Sequence, residues 1–267
     1  MIDGRAIIDP DATIGADVTI GPWTIVGPGV ELGDGVEVAS HVVIKGPTKI
    51  GPGVKIFQFA TVGEATPALA YAGEDSTLEV GANTVIREGV TIHRGMAKGG
   101  IARTVIGEHC LLMAYVHVGH DCVVGDHVIM ANNASLAGHV TVGDYANFGG
   151  YSGIPQFRSV GAFTHVAAMA LVTKDVPAYL TVTGQPAHAV GLNLEGMKRR
   201  GYDKATMQAL RKAYRTVYRQ GLRAEEALEQ LAPLRAAHPE VEMFAASVAD
   251  SQWGIVRGRS GHADTEE

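Results

Sequence analysis

A chain of 267 residues holds one large domain or two modest ones, and its net charge of −6 argues against a general nucleic-acid binder. No apolar run reaches the roughly 18 residues of a membrane-spanning helix, and Met1 to Arg5 lacks the basic and apolar pattern of a signal peptide. The reading is therefore a cytoplasmic protein without a transmembrane segment, and its only two cysteines, Cys110 and Cys122, fit a reducing compartment.

A six-residue beat opens the chain. Apolar residues recur at Ile8, Ile14, Ile20, Val26, Leu32, Val38, Ile44, Ile50, Ile56 and Val62, and Gly15, Gly21, Gly27, Gly33 and Gly51 follow five of them. A helix of about 3.6 residues per turn cannot hold this period on one face, whereas short strands joined by tight corners can. Such self-similarity is the signature of a hexapeptide parallel β-helix, with the apolar residue inside and the small neighbour at the corner.

The beat breaks at Glu64 to Leu78, resumes at Val80, Ile86 and Ile92, and breaks again at Gly95 to Arg103. From Ile106 it runs unbroken through Leu112, Val118, Val124, Met130, Leu136, Val142, Phe148, Ile154, Val160 and Val166 to Val172. The total predicts about eight coils and a prism roughly 40 Å long at the inter-strand spacing. Insertions in a solenoid leave at a corner, and loops on a rigid scaffold often carry function.

With three hexads to a coil, residues 18 apart share a column. His120 then stacks with Gly138 and Gln156, Asp121 stacks with His139 and Phe157, and His117 lies near the same corner. This puts a candidate general base beside a glycine able to offer its backbone N–H to an oxyanion. Cys110 and Cys122, 12 apart, fall on different faces, so no disulfide is expected.

After Val172 the period fades, and Pro177, Gly184 and Pro186 mark an irregular exit. The β-helix is assigned to residues 1–190 and a helical domain to residues 191–267. Leu192 to Arg200 opens the new regime. Asp203 is an N-cap for a helix running to about Arg219, Ala224 to Leu234 reads as a second, and a third starts at Pro239 and runs towards Ser251. The polar stretch from Gly258 to Glu267 is expected to fray. Between Lys198 and Arg223 nine basic residues face one acid, Asp203, a surface suited to docking diphosphate or an acidic carrier protein.

The hexads, the C-terminal helices and four motifs in order are specific. REGVTIHRG at Arg87 to Gly95, HVGHDCVVG at His117 to Gly125, NNASLAGHV at Asn132 to Val140 and NLEGMKRRG at Asn193 to Gly201 resemble the UDP-N-acetylglucosamine O-acyltransferase family of lipid A biosynthesis over essentially the whole chain. The resemblance implies a left-handed winding and transfer of a (3R)-hydroxyacyl group from acyl carrier protein to the 3-position of UDP-N-acetylglucosamine (UDP-GlcNAc). It implies a homotrimer with sites between subunits, no metal and no cofactor beyond the donor's phosphopantetheine. Carried over by motif, His120 is the general base, Asp121 its supporting carboxylate and Gly138 the oxyanion donor. His117, His139 and Gln156 match substrate-contacting positions, Asn193, Glu195, Arg199 and Arg200 match positions around nucleotide and carrier, and Ala168 matches the position that limits acyl length. With alanine there, a chain of about 10 to 12 carbons is expected.

Three positions depart from the family pattern. Ala68 and Ala70, before Tyr71, stand where the family carries an acid and a lysine, and Pro155 replaces a histidine before Gln156. They open the alternatives of a 3-amino UDP-sugar as acceptor or a trimeric binding module without activity. A metal-dependent hydratase on the same scaffold would use His117, His120 and His139 as zinc ligands. The related N-acyltransferase carries an extra N-terminal domain, for which hexads starting at Ile8 leave no room.

Overall fold

The computed structural model describes residues 1–259. Strands mostly of two residues stack into a triangular prism with three parallel faces. Face 1 holds eight strands from Ile7–Ile8 to Gly153–Ile154, face 2 eight from Thr13–Ile14 to Ser159–Val160, and face 3 ten, from Thr19–Ile20 to His188–Leu192. The chain visits faces 1, 2 and 3 in turn, making eight coils of a left-handed β-helix. Within uninterrupted coils partners are 18 apart, as His117 with Ser135 and Ser135 with Gly153.

Every hexad position from Ile20 to Val172 is buried, whereas Ile8 and Ile14 in the first coil stay half-exposed because no coil covers them. A second inward position, two residues earlier, was not read from the sequence. Val18, Val36, Val54, Val90, Val116, Val128 and Val140 occupy it, and so do Thr24, Thr84, Thr104, Cys110 and Cys122. Its mixed polarity hides it from a search for apolar periodicity. The threonines stay satisfied by bonding corner backbone, as Thr84 Oγ1 does to the Gly107 carbonyl at 2.9 Å and the Cys110 N–H at 3.0 Å. Both cysteines are free thiols, and burial pushes the Cys110 thiol up to about 11 and that of Cys122 up to about 12.

The glycine after each apolar residue serves a different purpose from the one expected. At Gly33 a Cβ would lie 2.8 Å from the Pro52 nitrogen, so the need is close approach of the next coil. The left-handed corner residue stands two positions further on and is often not glycine: His41, His109, Asp121, His127, His139, Tyr145 and Phe163 all have positive φ. For His109, His127, His139, Tyr145 and Phe163, stacked rings offset that cost.

Both insertions leave the corner between faces 1 and 2, the corner that holds His120. Residues 65–76 join Thr61–Glu64 to Thr77–Val80, and residues 94–102 join Thr91–His93 to Arg103–Ile106. At the C-terminal end the antiparallel pair Leu180–Thr183 and His188–Leu192 closes face 3. Four helices follow: α1 (Leu194–Arg199), α2 (Lys204–Arg219), α3 (Ala224–Ala237) and α4 (Pro239–Ala249).

Asp203 caps α2, its carboxylate accepting from the Thr206 N–H at 2.7 Å, and Leu210, Ala213, Tyr214 and Val217 form the buried stripe. The helices depart from the sequence expectation at three points. Residues 194–199 form a helix of their own. α3 continues through Pro233 to Ala237, held by buried Leu231 and by an Arg235–Glu242 pair at 2.6 Å to α4. α4 stops at Ala249 because Ser251 Oγ donates to Asp175 at 2.8 Å. Of the tail expected to fray, residues 260–267 lie outside the described residues.

Candidate active site

His120 and Asp121 sit at the corner after the strand His117–Val118. His120 Nδ1 lies 2.7 Å from Asp121 Oδ2, and both residues are buried. The same carboxylate accepts from the backbone N–H of Met96 at 3.1 Å and of Ile101 at 2.8 Å. Asp121's own N–H donates to buried Thr104 Oγ1 at 2.9 Å. With Nδ1 occupied, Nε2 is the nitrogen turned to the next coil, where a Cβ on Gly138 would stand 2.5 Å from it. No hydrogen bond engages the Gly138 N–H among the described residues.

The 18-residue columns hold. His139 N–H donates to the His120 carbonyl at 2.9 Å and Phe157 N–H to the Gly138 carbonyl at 3.2 Å. The His139 ring meets that of His120 edge-on at 4.8 Å and stacks on Phe157 at 4.5 Å. Pro67, Ala68, His93, His117, Gly119, His120, Ala137, Gly138 and Gln156 line one cleft of about 290 Å³. Of the three departures from the family pattern, Ala68 alone is among these lining residues.

Thr91, which bonds a lining residue, gives no signal in the 18-residue columns, and the lining residue His93 gives none of a role. Thr91 Oγ1 lies 2.8 Å from His117 Nδ1 across a register offset of 26, because the second insertion separates them. Subtracting the inserted residues from the column arithmetic would have found it. His93 meets His117 edge-on at 5.2 Å, and its Nδ1 is buried without a hydrogen-bond partner among the described residues. Burial, with the charge of His117 opposing a second cation, pushes the His93 imidazole down to about 4. Burial also lowers His117 and His139. Burial thus favours the neutral imidazole in all three.

The remaining candidates lie elsewhere. Glu195, Arg199, Arg200 and Asn193 border a groove of about 670 Å³ on face 3, with His109, His127, Tyr145, Asn147 and His165 on its other walls. Arg200 lies over Tyr145 at 4.8 Å and Phe163 at 5.7 Å. Asn193 commits its amide to the scaffold, accepting from the Gly196 N–H at 3.0 Å and donating to the Phe163 carbonyl at 2.9 Å. Glu195 is paired with Lys198 at 2.8 Å, and that pairing lowers its pKa. Ala168 sits at the third corner, between faces 3 and 1. One chain thus assembles His117, His120, Asp121, Gly138, His139 and Gln156, and leaves the other five candidates away from them.

Among the described residues, the ligand-spaced group that could hold a cation is His120, Asp121 and His139, one donor atom of each lying within 4.8 Å of the others, rather than the His117, His120 and His139 of the hydratase alternative. His117 is engaged with Thr91 instead.

Comparison with known proteins identifies the family of the chain. Residues 175–256 match the family model for UDP N-acetylglucosamine O-acyltransferase domain 2, and residues 11–46 and 103–138 match that for the bacterial transferase hexapeptide. An acyl-(acyl-carrier-protein)–UDP-N-acetylglucosamine O-acyltransferase of Stutzerimonas stutzeri is 52% identical over 257 residues, covering 96% of this chain and 99% of its own. The crystal structure of the UDP-N-acetylglucosamine O-acyltransferase from Moraxella catarrhalis superposes with a TM-score of 0.94 at 44% identity, covering 96% of this chain and 99% of that one. The Francisella novicida UDP-N-acetylglucosamine acyltransferase also superposes at 0.94, with 36% identity over the whole of both chains. Half its residues shared over nearly its full length, on the same coils and C-terminal helices, place this chain in the UDP-N-acetylglucosamine O-acyltransferase family.

Proposed function

We propose that this chain transfers a (3R)-hydroxyacyl group from acyl carrier protein to the 3-hydroxyl of UDP-GlcNAc, the first step of lipid A biosynthesis, with His120 as general base. The observation that carries this reading is the 2.7 Å contact of His120 Nδ1 with Asp121, which directs Nε2 to the cleft beside Gly138. His120 Nε2 takes the proton of the 3-hydroxyl as its oxygen attacks the thioester carbonyl carbon. The Gly138 N–H meets the oxyanion. On collapse the C–S bond breaks, and the imidazolium returns its proton to the departing phosphopantetheine thiolate. Asp121 favours the imidazolium that forms between the two steps.

His117, His139 and Gln156 contact the sugar and acyl group, and the face 3 groove takes the nucleotide between Arg199, Arg200 and the rings beneath them. The exposed basic residues of α1 and α2, among them Lys198, Arg211, Lys212 and Arg215, suit the acidic acyl carrier protein. The corner between faces 1 and 2 points away from face 3, so one chain cannot close both groups on one substrate. A homotrimer, in which the His120 corner of one subunit meets the face 3 groove of the next, can. The same assembly would bring Ala168 to the acyl groove and limit the chain to about 10 to 12 carbons. No described helix is long and apolar enough to cross a membrane.

A mass-resolved assay with hydroxyacyl carrier proteins of several lengths, offered UDP-GlcNAc or its 3-amino analogue, tests the proposal beside His120→Ala. Ester product from UDP-GlcNAc, lowered about 10²- to 10⁴-fold in the variant, is expected. Better turnover of the 3-amino analogue would overturn the acceptor, and preference for 14 carbons would overturn the acyl length. No product from any pair would favour a binding module, and activity lost on chelation and restored by zinc would favour a metal at His120, Asp121 and His139.

A further inference from the structure

The second insertion is too tightly built around one carboxylate to be a tolerated surface loop. It leaves face 1 after His93, and Gly95 N–H donates to the Thr77 carbonyl at 3.3 Å. Ala102 N–H closes the loop onto the Met96 carbonyl at 3.1 Å, and the Ala102 carbonyl accepts from Thr77 N–H at 2.9 Å. Between these ties, the N–H groups of Met96 and Ile101 converge on Asp121, at 3.1 Å to Oδ2 and 2.8 Å to Oδ1. Oδ2 also meets His120 Nδ1. The carboxylate is thus held by backbone on one side and faces the imidazole on the other.

Gly100 closes the arrangement. A Cβ built there would lie 2.4 Å from the Met96 carbonyl oxygen of the same loop and 2.5 Å from both Asp121 Oδ1 and Oδ2. Nothing flexible separates the two, because Asp121 is itself pinned by its N–H bond to Thr104. Any side chain at residue 100 must displace the carboxylate from His120 or lift the loop off its two N–H bonds. The first insertion braces the second from outside. The Glu74 carboxylate accepts from its own loop at the Ala72 N–H, 2.8 Å, and reaches the Lys98 N–H at 3.5 Å. These bonds hold the Glu74 carboxyl below its ordinary pKa.

We infer that residues 95–103 form the positioning element of the general base, with Gly100 as the residue that lets the loop hold Asp121 against His120 and Glu74 as its outer brace. Gly100 is a positioning residue, acting through Asp121 and touching no substrate. The inference rests on His120 being the base. It predicts that disturbance of this loop slows the chemical step and leaves substrate binding alone, because none of the loop's residues lines the His120 cleft.

The test is a double-mutant cycle on the full-length enzyme. Gly100→Ala should lower kcat about tenfold or more, with KM for UDP-GlcNAc and for hydroxyacyl carrier protein changed by less than about twofold. In an Asp121→Ala background, Gly100→Ala should add almost nothing. Glu74→Gln, an exterior change that leaves the loop's glycines in place, should lower kcat by a smaller factor and likewise lose its effect beside Asp121→Ala. Equal factors in both backgrounds, or an unchanged kcat for Gly100→Ala, would overturn the positioning role. Should Gly100→Ala fail to fold, the Glu74→Gln cycle decides alone. His120→Ala run alongside separates the two ideas: an active His120→Ala removes the base on which the inference rests, whereas an inactive one with an additive cycle removes only the loop's part.

Discussion

At the scale of single residues, His93 shows how the site trades acid stability for a neutral cleft. Its Nδ1 is buried without a hydrogen-bond partner among the described residues, and its imidazole titrates at about 4, against an ordinary value near 6.5. Between those two pH values the unfolded chain binds a proton at residue 93 that the folded chain refuses. Stability therefore falls as pH falls through that window, and His117, His139 and His165 add in the same direction. The thermal midpoint should drop from pH 7 to pH 4, and His93→Gln should flatten the drop. Parallel curves for the two proteins would contradict the assignment. The sequence pointed to His120 and Asp121 through an 18-residue column, because strictly repeated coils turn distance in sequence into distance in space. It could not point to Met96, Gly100 or Ile101, since they act through backbone in a stretch without a period.

At the scale of elements, the outer corners explain why bulky residues accept a left-handed backbone. His109, His127, Tyr145, Phe163 and Tyr179 have positive φ, and their rings stack along the prism edge at 5.0, 4.6, 5.0 and 5.1 Å. Those separations match the coil spacing of roughly 4.8 Å, so each of the three inner rings finds a partner above and below. The ladder also makes a floor for Arg200, whose guanidinium lies over Tyr145 and Phe163. Tyr145→Ala interrupts the ladder at its middle. It should cost about 1 to 3 kcal/mol in unfolding free energy and raise KM for UDP-GlcNAc several-fold, while kcat stays near that of the parent enzyme. Denaturant unfolding and steady-state kinetics on the variant check both; a fall in kcat with KM unmoved would show that Arg200 and its floor serve the chemistry rather than binding. The helices were less legible than the coils. α1 has only six residues and opens at Asn193, and α3 passes through a proline that normally signals an end.

At the scale of the whole molecule, the two groups of candidate residues point in different directions from one prism. His120, Asp121 and Gly138 occupy the corner between faces 1 and 2, while Arg199 and Arg200 border the groove on face 3. If neighbouring subunits complete each other's sites, His120→Ala and Arg200→Ala chains, each inactive alone, should regain activity when unfolded and refolded together. Up to one site in a mixed pair of neighbours would carry both intact residues. Sedimentation of the enzyme should report a species of three chains, and a mixture with no more activity than its parts would exclude shared sites.

The solenoid, its eight coils, the sites of both interruptions and the meeting of His120, Gly138 and Gln156 were legible in the residues alone, because each follows from a period that every coil repeats. It took the folded chain to reveal that both insertions leave the corner that holds His120, that one of them clamps Asp121 with backbone N–H groups, and that Arg199 and Arg200 border a different face from His120. Those outcomes depend on the direction in which aperiodic chain folds back on the prism, and a pattern of apolar residues carries no information about that direction.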